Sequence, residues 1–472
     1  MKKYSLYILL LFILGACAKD KGNYDYINIP DPVVKGLDTA YAAIVGDSLI
    51  ITPEVQLKSG KNDYSCFWKI DVPEKAMSVD YEGQSLRIVF GLGANRYNAL
   101  LKVKDNNTGQ VYFFKFIVKG QTQFTRGVLV LSNENNRTVL TFIKPDGTVQ
   151  PDIYDAINKE VLPGGGMQLV PIRNQFYMNQ LSSFWITYTG GTTGAVQIDA
   201  NTLQRNKYLA DNFYTAPAVL KVNSFLNMIN GVTTAILNGK MYIGATETAP
   251  FWPYYGFWGV PVDGNYQLHP NVLHNLYERP NDGYFFGFEA TKKQFLRFST
   301  NAFFDTSYNV LGNTSFDPKN LKMDLLYMTR FTDNEFYAMM DSVGKKIELK
   351  FGLDFNADKR TFTPSYKREF PAASLLMPDT KWQSSPIGVI FFSSNDKIYR
   401  YNPVNNEVKA LDATFGGKKV TMLKVLNGGN LLVAGVEGSI YYLDTSVGHN
   451  GENPQQVNSI PGVPADIYIR EN

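Results

Sequence analysis

The chain has 472 residues, with 46 basic and 43 acidic side chains and a formal charge of +3. Setting aside Lys2 and Lys3 leaves 44 basic against 43 acidic side chains, so composition offers neither the basic field that nucleic-acid binding needs nor a polybasic membrane patch. Aromatics reach 14%, charged residues only 19%, and there are 39 glycines: the balance of a globular chain made of many short strands and turns, not of a disordered one.

Residues 1–16 read as a secretory signal peptide. Lys2 and Lys3 form a positive start, and Tyr4 to Ile13 form an apolar run too short to cross a bilayer, which needs ~20 residues. Leu14-Gly15-Ala16-Cys17 resembles the lipobox of bacterial lipoproteins, which implies that Cys17 is the first mature residue and carries a covalent lipid. Residues 17–30 are polar and read as a tether between that lipid and the first domain. No cofactor beyond the lipid is expected.

From 31 to 119 the pattern has period two. Ser48–Thr52, Tyr64–Ile70, Ser85–Phe90, Tyr97–Asp105 and Gln110–Val118 alternate or break at turns, which predicts about seven short strands around a core Trp68 in an immunoglobulin-like β-sandwich. Residues 120–126 are a polar connector. Cys66 sits in the apolar run Tyr64-Ser65-Cys66-Phe67-Trp68, so a buried free thiol is expected there.

From 127 to 472 hairpins follow one another. Gly127–Ser132 turns through Asn133–Asn136 into Thr138–Ile143, and Phe184–Thr189 turns into Ala195–Ile198. Ala235–Leu237 turns at Asn238-Gly239 into Lys240–Ile243, the strongest short hairpin signal in the chain. Leu325–Phe331, Phe336–Met340 and Ile347–Phe351 form a meander, and the last two hairpins start at Val389 and Leu431, a spacing in the ~40–45-residue range of propeller blades. The expected fold is therefore all-β: the N-terminal sandwich followed by a six- or seven-bladed β-propeller, with a large irregular β-sandwich as the competing layout. Helix is expected only over Asp152–Val161 and around His269–Tyr277.

No residue set forms a catalytic motif: GxSxG, HExxH, GxxxxGK[ST] and DxDxDG are all missing, and no pair of carboxylates is singled out for hydrolysis. Pro163-Gly164-Gly165-Gly166-Met167 lacks the Lys-Ser/Thr of a phosphate cradle and reads as a flexible loop. His269, His274 and His449 show no zinc spacing and read as surface loop residues, so no metal site is expected. The densest unusual stretch is Phe251–Trp258. Trp252, Tyr254, Tyr255 and Trp258 are the candidate contact residues for a ligand or partner, with packing between blades as the alternative.

The run Tyr97-x-Ala99-x-Leu101-x-Val103-x-Asp105 looks like the YxVxLxVxD strand of PKD domains. With the lipobox and the tether Asp20-Lys21-Gly22-Asn23-Tyr24-Asp25-Tyr26, the first quarter of the chain resembles the PKD-like family of Bacteroidetes surface lipoproteins. The resemblance implies a non-enzymatic, lipid-anchored outer-membrane protein exposed at the cell surface. It also implies an accessory role to a SusC/SusD-type TonB-dependent importer, in capture of a glycan or oligopeptide or in scaffolding. The alternatives are a surface adhesion or structural lipoprotein, and a propeller enzyme that degrades glycans. No nucleic-acid partner is expected.

Overall fold

The computed structural model describes residues 31–470 apart from 59, 74–76, 175–179, 247–254, 276–282, 300–301, 313–314, 333, 356–358 and 453. The expected signal peptide and tether, and Cys17 with its expected lipidation, lie outside the described residues. The chain divides into two compact units between Gln121 and Thr122.

Among the described residues the first unit is a β-sandwich of nine strands. Its main sheet has the order Ala40–Ile44, Val111–Gln121, Arg96–Asp105, Tyr64–Val72, Met77–Glu82, and the first pair is parallel. Two small sheets, Val33–Lys35 with Glu54–Gln56 and Ser48–Ile51 with Leu86–Val89, supply the other side of the core. Alternation puts Tyr97, Ala99, Leu101, Val103 and Asp105 inward, all buried. Trp68 is buried beside them, donates its indole N–H to the Gly83 carbonyl at 2.8 Å, and packs edge-on against Phe116. Asp105 is buried because its carboxylate accepts the backbone N–H groups of Asn107 (2.8 Å) and Thr108 (3.3 Å), turning the chain into the next strand. Cys66 is buried, and burial pushes its thiol up to about 11.

The other face of this sheet corrects the expectation from composition. On strands Arg96–Asp105 and Val111–Gln121 the outward positions hold Arg96, Lys102, Lys104, Lys115 and Lys119 and no acidic residue. A near-neutral chain thus carries a locally basic sheet face, because period two sorts charges by face and net charge averages over faces.

The second unit is a β-propeller with seven sheets among the described residues. Blade 1 is Val463–Arg470, Gly127–Glu134, Arg137–Ile143 and Val149–Gln150, so the C-terminal strand supplies its innermost position. Blade 2 is Gly166–Asn174, Gln180–Tyr188, Ala195–Asp199 and Arg205–Tyr208. Blade 3 is Val222–Leu226, Thr234–Leu237 and Lys240–Ile243, and blade 4 is Leu273–His274, Phe285–Glu289 and Gln294–Phe298. Blade 5 is Asp324–Thr332, Glu335–Ser342, Lys345–Asp354 and Thr361–Glu369, extended by Asn309–Val310. Blade 6 is Trp382–Ser385, Val389–Ser394, Lys397–Asn402 and Glu407–Ala410. Blade 7 is Val420–Leu426, Leu431–Val436, Ser439–Asp444 and Gln455–Asn458.

Each pair of neighbouring blades shares its own hydrophobic cluster, so middle strands such as Phe285–Glu289 are buried on both faces. Phe285 packs between blades 3 and 4, while Phe286 and Phe288 pack between blades 4 and 5. The one α-helix among the described residues is Ile153–Asn158, inside the first expected span. The second expected helix is absent over its described part: Leu273–His274 is extended and pairs with Phe285–Phe286, because the sheet outbids local propensity. The glycine run is no flexible loop either. A β-carbon on Gly164 would lie 2.4 Å from the Asn136 carbonyl oxygen, and one on Gly165, whose φ is +79°, would lie 2.0 Å from Thr189 Oγ1. The glycines let blades 1 and 2 meet backbone to backbone.

Candidate functional site

Blades 1, 2, 6 and 7 each place the start of the innermost strand, the turn between the second and third strands and the connection from the preceding blade at one end of the propeller. At that end a concavity of ≈ 870 Å³ opens among blades 1, 2, 6 and 7. Its apolar wall comes from the first residues of three inner strands: Val463, Pro464 and Ala465, then Met167, then Val420. Its polar rim is Asp379 and Lys381 from the connection entering blade 6, Lys418 and Lys419 from the one entering blade 7, Asn133 from the end of the second strand of blade 1 and Glu437 from the second-to-third-strand turn of blade 7.

The rim is held by specific hydrogen bonds. Asn133 bonds Gly166 twice, accepting its N–H at 2.6 Å and donating to its carbonyl at 2.9 Å, which ties blade 1 to blade 2. Thr421 donates to the Pro464 carbonyl at 2.8 Å, which ties blade 7 to blade 1. Lys418 donates to the Glu437 carbonyl at 2.9 Å, and Lys419 pairs with Asp379, holding that carboxyl below its usual range. The site therefore combines ammonium groups, carboxylates and an apolar wall on a fixed frame. It can grip a polar ligand by charge and hydrogen bonding; its lining includes no histidine, cysteine or serine that would serve as a nucleophile or general base.

Deeper in, a belt of hydrogen bonds passes from blade to blade around the axis. Leu169 N–H donates to Asp466 at 2.9 Å, Gln168 holds Phe225 N–H at 2.8 Å, and Ser224 donates to the Pro270 carbonyl at 2.7 Å. Asn271 accepts from Met328 N–H, Thr329 bonds Ser384 at 2.6 Å, and Val425 N–H reaches Gln383 at 3.5 Å. Lys424 closes the circuit on Asp466 at 2.8 Å.

The residues singled out from sequence lie elsewhere. Trp252 and Tyr254 fall outside the described residues. Tyr255 is half-buried and donates to the Asn230 carbonyl at 2.9 Å. Trp258 is fully buried between blades 2 and 3, ringed by Phe213, Phe225 and Tyr242, with its indole N–H on the Thr233 carbonyl at 2.8 Å. It presents no face to a ligand, because its ring is enclosed in the cluster between blades 2 and 3. Nor are two of the histidines surface residues. His269 is mostly enclosed, and burial drops its imidazole to about 4; His274 lies in the first strand of blade 4 against Phe285. His449 is exposed and pairs with Glu452. Among the described residues no group of three or more His, Cys, Asp or Glu could hold a metal.

Taken together, the two units make an all-β chain in which a PKD-like sandwich precedes a seven-bladed propeller. Residues 17–165 match the PKD-like family, a span that runs from Cys17 through the first unit and into the outer strands of blade 1. None of the curated proteins matches the chain in sequence. Among solved structures, the chain resembles a quinonprotein alcohol dehydrogenase-like protein from Bacteroides thetaiotaomicron at 13% identity and a TM-score of 0.47, over 93% of this chain and 99% of that one. It also resembles a functionally unknown protein from Desulfotomaculum acetoxidans (11%, TM-score 0.40, 73% of this chain and 100% of that one). A third is the Swd1 β-propeller domain from Myceliophteria thermophila (9%, TM-score 0.39, 64% and 86%). At such identities nothing of their activities transfers.

Proposed function

We propose that this protein is a non-enzymatic outer-membrane lipoprotein, anchored through a lipid on Cys17 and displayed at the cell surface. It serves a SusC/SusD-type importer by capturing a glycan or oligopeptide or by scaffolding the complex. The observation that carries the capture role is the propeller mouth: a ≈ 870 Å³ concavity with a fixed rim, three lysines, two carboxylates and an apolar wall. Such a lining favours holding a polar ligand over transforming it. Support for the anchor comes from the lipobox, and the match of residues 17–165 to the PKD-like family supports the N-terminal module; the importer partner rests on the sequence resemblance.

The test is a mild-detergent pull-down of the tagged protein from native outer membrane, with partners identified by mass spectrometry. Stoichiometric recovery of a SusC/SusD-like pair is expected, and filling the mouth with Thr421→Trp should then lower cargo capture by the isolated complex. Recovery of the lipoprotein alone would overturn the importer role.

A further inference from the structure

We infer that the outer face of the N-terminal five-stranded sheet docks on the anionic phosphate groups of a lipid bilayer surface. Arg96, Lys102 and Lys104 project outward from one central strand, and Lys115 and Lys119 from its neighbour, where register places Lys119 beside Arg96. The acids of this face are set to one side: Asp80 and Glu82 on the edge strand, and Asp71, which pairs with Lys69 at 3.8 Å. Apolar groups are interleaved with the cations. Phe113 is 61% exposed opposite Lys102, and Lys102 Nζ stands 5.3 Å from the Phe67 ring centre. Between Lys69 and Lys115 a hollow of ≈ 590 Å³, floored by Leu100 and Ile117 and bordered on its Lys69 side by Asp71, is large enough for a phosphate headgroup.

This chemistry separates a membrane from other anionic partners. Lysine stems and an exposed aromatic between ammonium groups suit the headgroup boundary, where charge meets phosphate and ring edges meet acyl chain. Length of chain supplies the second argument. Thirteen residues, 18–30, separate Cys17 from the first described residue, and fully extended they reach only roughly 45 Å. The first unit is thus the part of the protein that a lipid on Cys17 would hold nearest the bilayer, and this argument rests on the anchoring reading. Docking would hold the sandwich against the surface by charge, beyond what a single flexible tether fixes.

The test uses the mature chain with Cys17→Ala, so that no lipid contributes and failure of the anchoring reading is a separate result. Co-sedimentation is measured with vesicles of phosphatidylcholine alone and with 30 mol% phosphatidylglycerol (about that fraction being enough to raise a negative surface potential). Binding to the anionic vesicles alone, weakened by added salt, is expected. Lys104→Gln/Lys115→Gln/Lys119→Gln should weaken it on the order of 100-fold. Lys35→Gln/Arg87→Gln, on the small sheets of the same unit, should leave it unchanged; unaltered thermal unfolding checks that both variants are folded. No binding to anionic vesicles, equal binding to both compositions, or equal loss from the control variant would each overturn the inference.

Discussion

Lys424 and Asp466 form an ion pair at 2.8 Å across the seam where blade 7 meets the blade completed by the C-terminal strand. Asp466 is the more committed partner. One carboxylate oxygen takes the Lys424 ammonium and its own neighbour's N–H, from Ile467, while the other takes Leu169 N–H in blade 2. Asp466→Ala therefore removes the acceptor of a partly buried ammonium and of two buried backbone N–H groups together, and should cost roughly 3 kcal/mol. Lys424→Met removes one bond and leaves the carboxylate with its two backbone donors, so about 1 kcal/mol is expected. Guanidinium midpoints of both variants check this, and a cost for Lys424→Met equal to that of Asp466→Ala would show that the seam is not held through the carboxylate.

The contrast between the two units shows what was legible beforehand. The sandwich could be read because one face of its sheet is wet: Tyr97, Ala99, Leu101 and Val103 alternate with exposed or half-exposed neighbours. Propeller strands lack that contrast. Phe285–Glu289 is buried on both faces, which reads as an apolar run without a face, so hairpins could be placed by their turns but blades could not be counted. Asn238-Gly239 was readable because both residues adopt positive φ, as a tight hairpin requires. The mouth was not, since its lining comes from short segments scattered between Asn133 and Ala465 that share no motif and meet only when the ring closes. The aromatic-rich stretch stood out by composition, which does not separate a packing tryptophan such as Trp258 from a binding one.

Glu348, in the third strand of blade 5, is fully buried and binds blade 6 through side chains alone. It accepts from Tyr366, from Tyr401 across the interface, and from Arg368 at 3.1 Å, while Arg368 also donates to the Pro403 carbonyl at 2.6 Å. Burial, then the bond to Glu348, pushes both phenols well above the ordinary tyrosine range. Glu348→Leu leaves Arg368 uncompensated and should cost about 3–5 kcal/mol. Glu348→Gln keeps an acceptor and should cost roughly half as much. Chemical denaturation distinguishes the two, and the reverse order would mean that the carboxylate charge is a burden rather than the centre of the network.

His269 gives the propeller an acid-sensitive point. Burial holds its imidazole at about 4, against ~6.5 in the unfolded chain, while its ring Nδ1 accepts the N–H of Asn271 at 3.2 Å. Between those two values the unfolded state holds a proton that the folded state lacks. Stability should therefore fall as pH drops from about 6.5 to about 4, by up to roughly 3 kcal/mol from this group, and its contribution should be flat above and below. His269→Asn preserves an acceptor for Asn271 without the titration. The difference between its stability profile and that of the parent isolates the effect, and a histidine titration near 6.5 in the folded protein by NMR would remove the basis for it.

Trp258 offers the sharpest separation between packing and recognition. Its ring lies 4.9 Å from Phe213 and 5.8 Å from both Phe225 and Tyr242, and its indole N–H satisfies the Thr233 carbonyl between blades 2 and 3. Trp258→Ala should open a cavity and remove one of the two donors to that carbonyl, leaving the Gly244 N–H at 3.0 Å, at a cost of about 3–5 kcal/mol that comes mainly from the cavity. Tyr255→Phe, by contrast, removes a hydroxyl bonded to the Asn230 carbonyl and should cost about 1 kcal/mol. A contact residue would behave the other way round, losing ligand or partner affinity while the melting temperature held. Measuring unfolding and cargo capture on the same Trp258→Ala preparation decides between them: a large fall in stability assigns the ring to the blade interface, and unchanged stability with lost capture would return it to the binding surface.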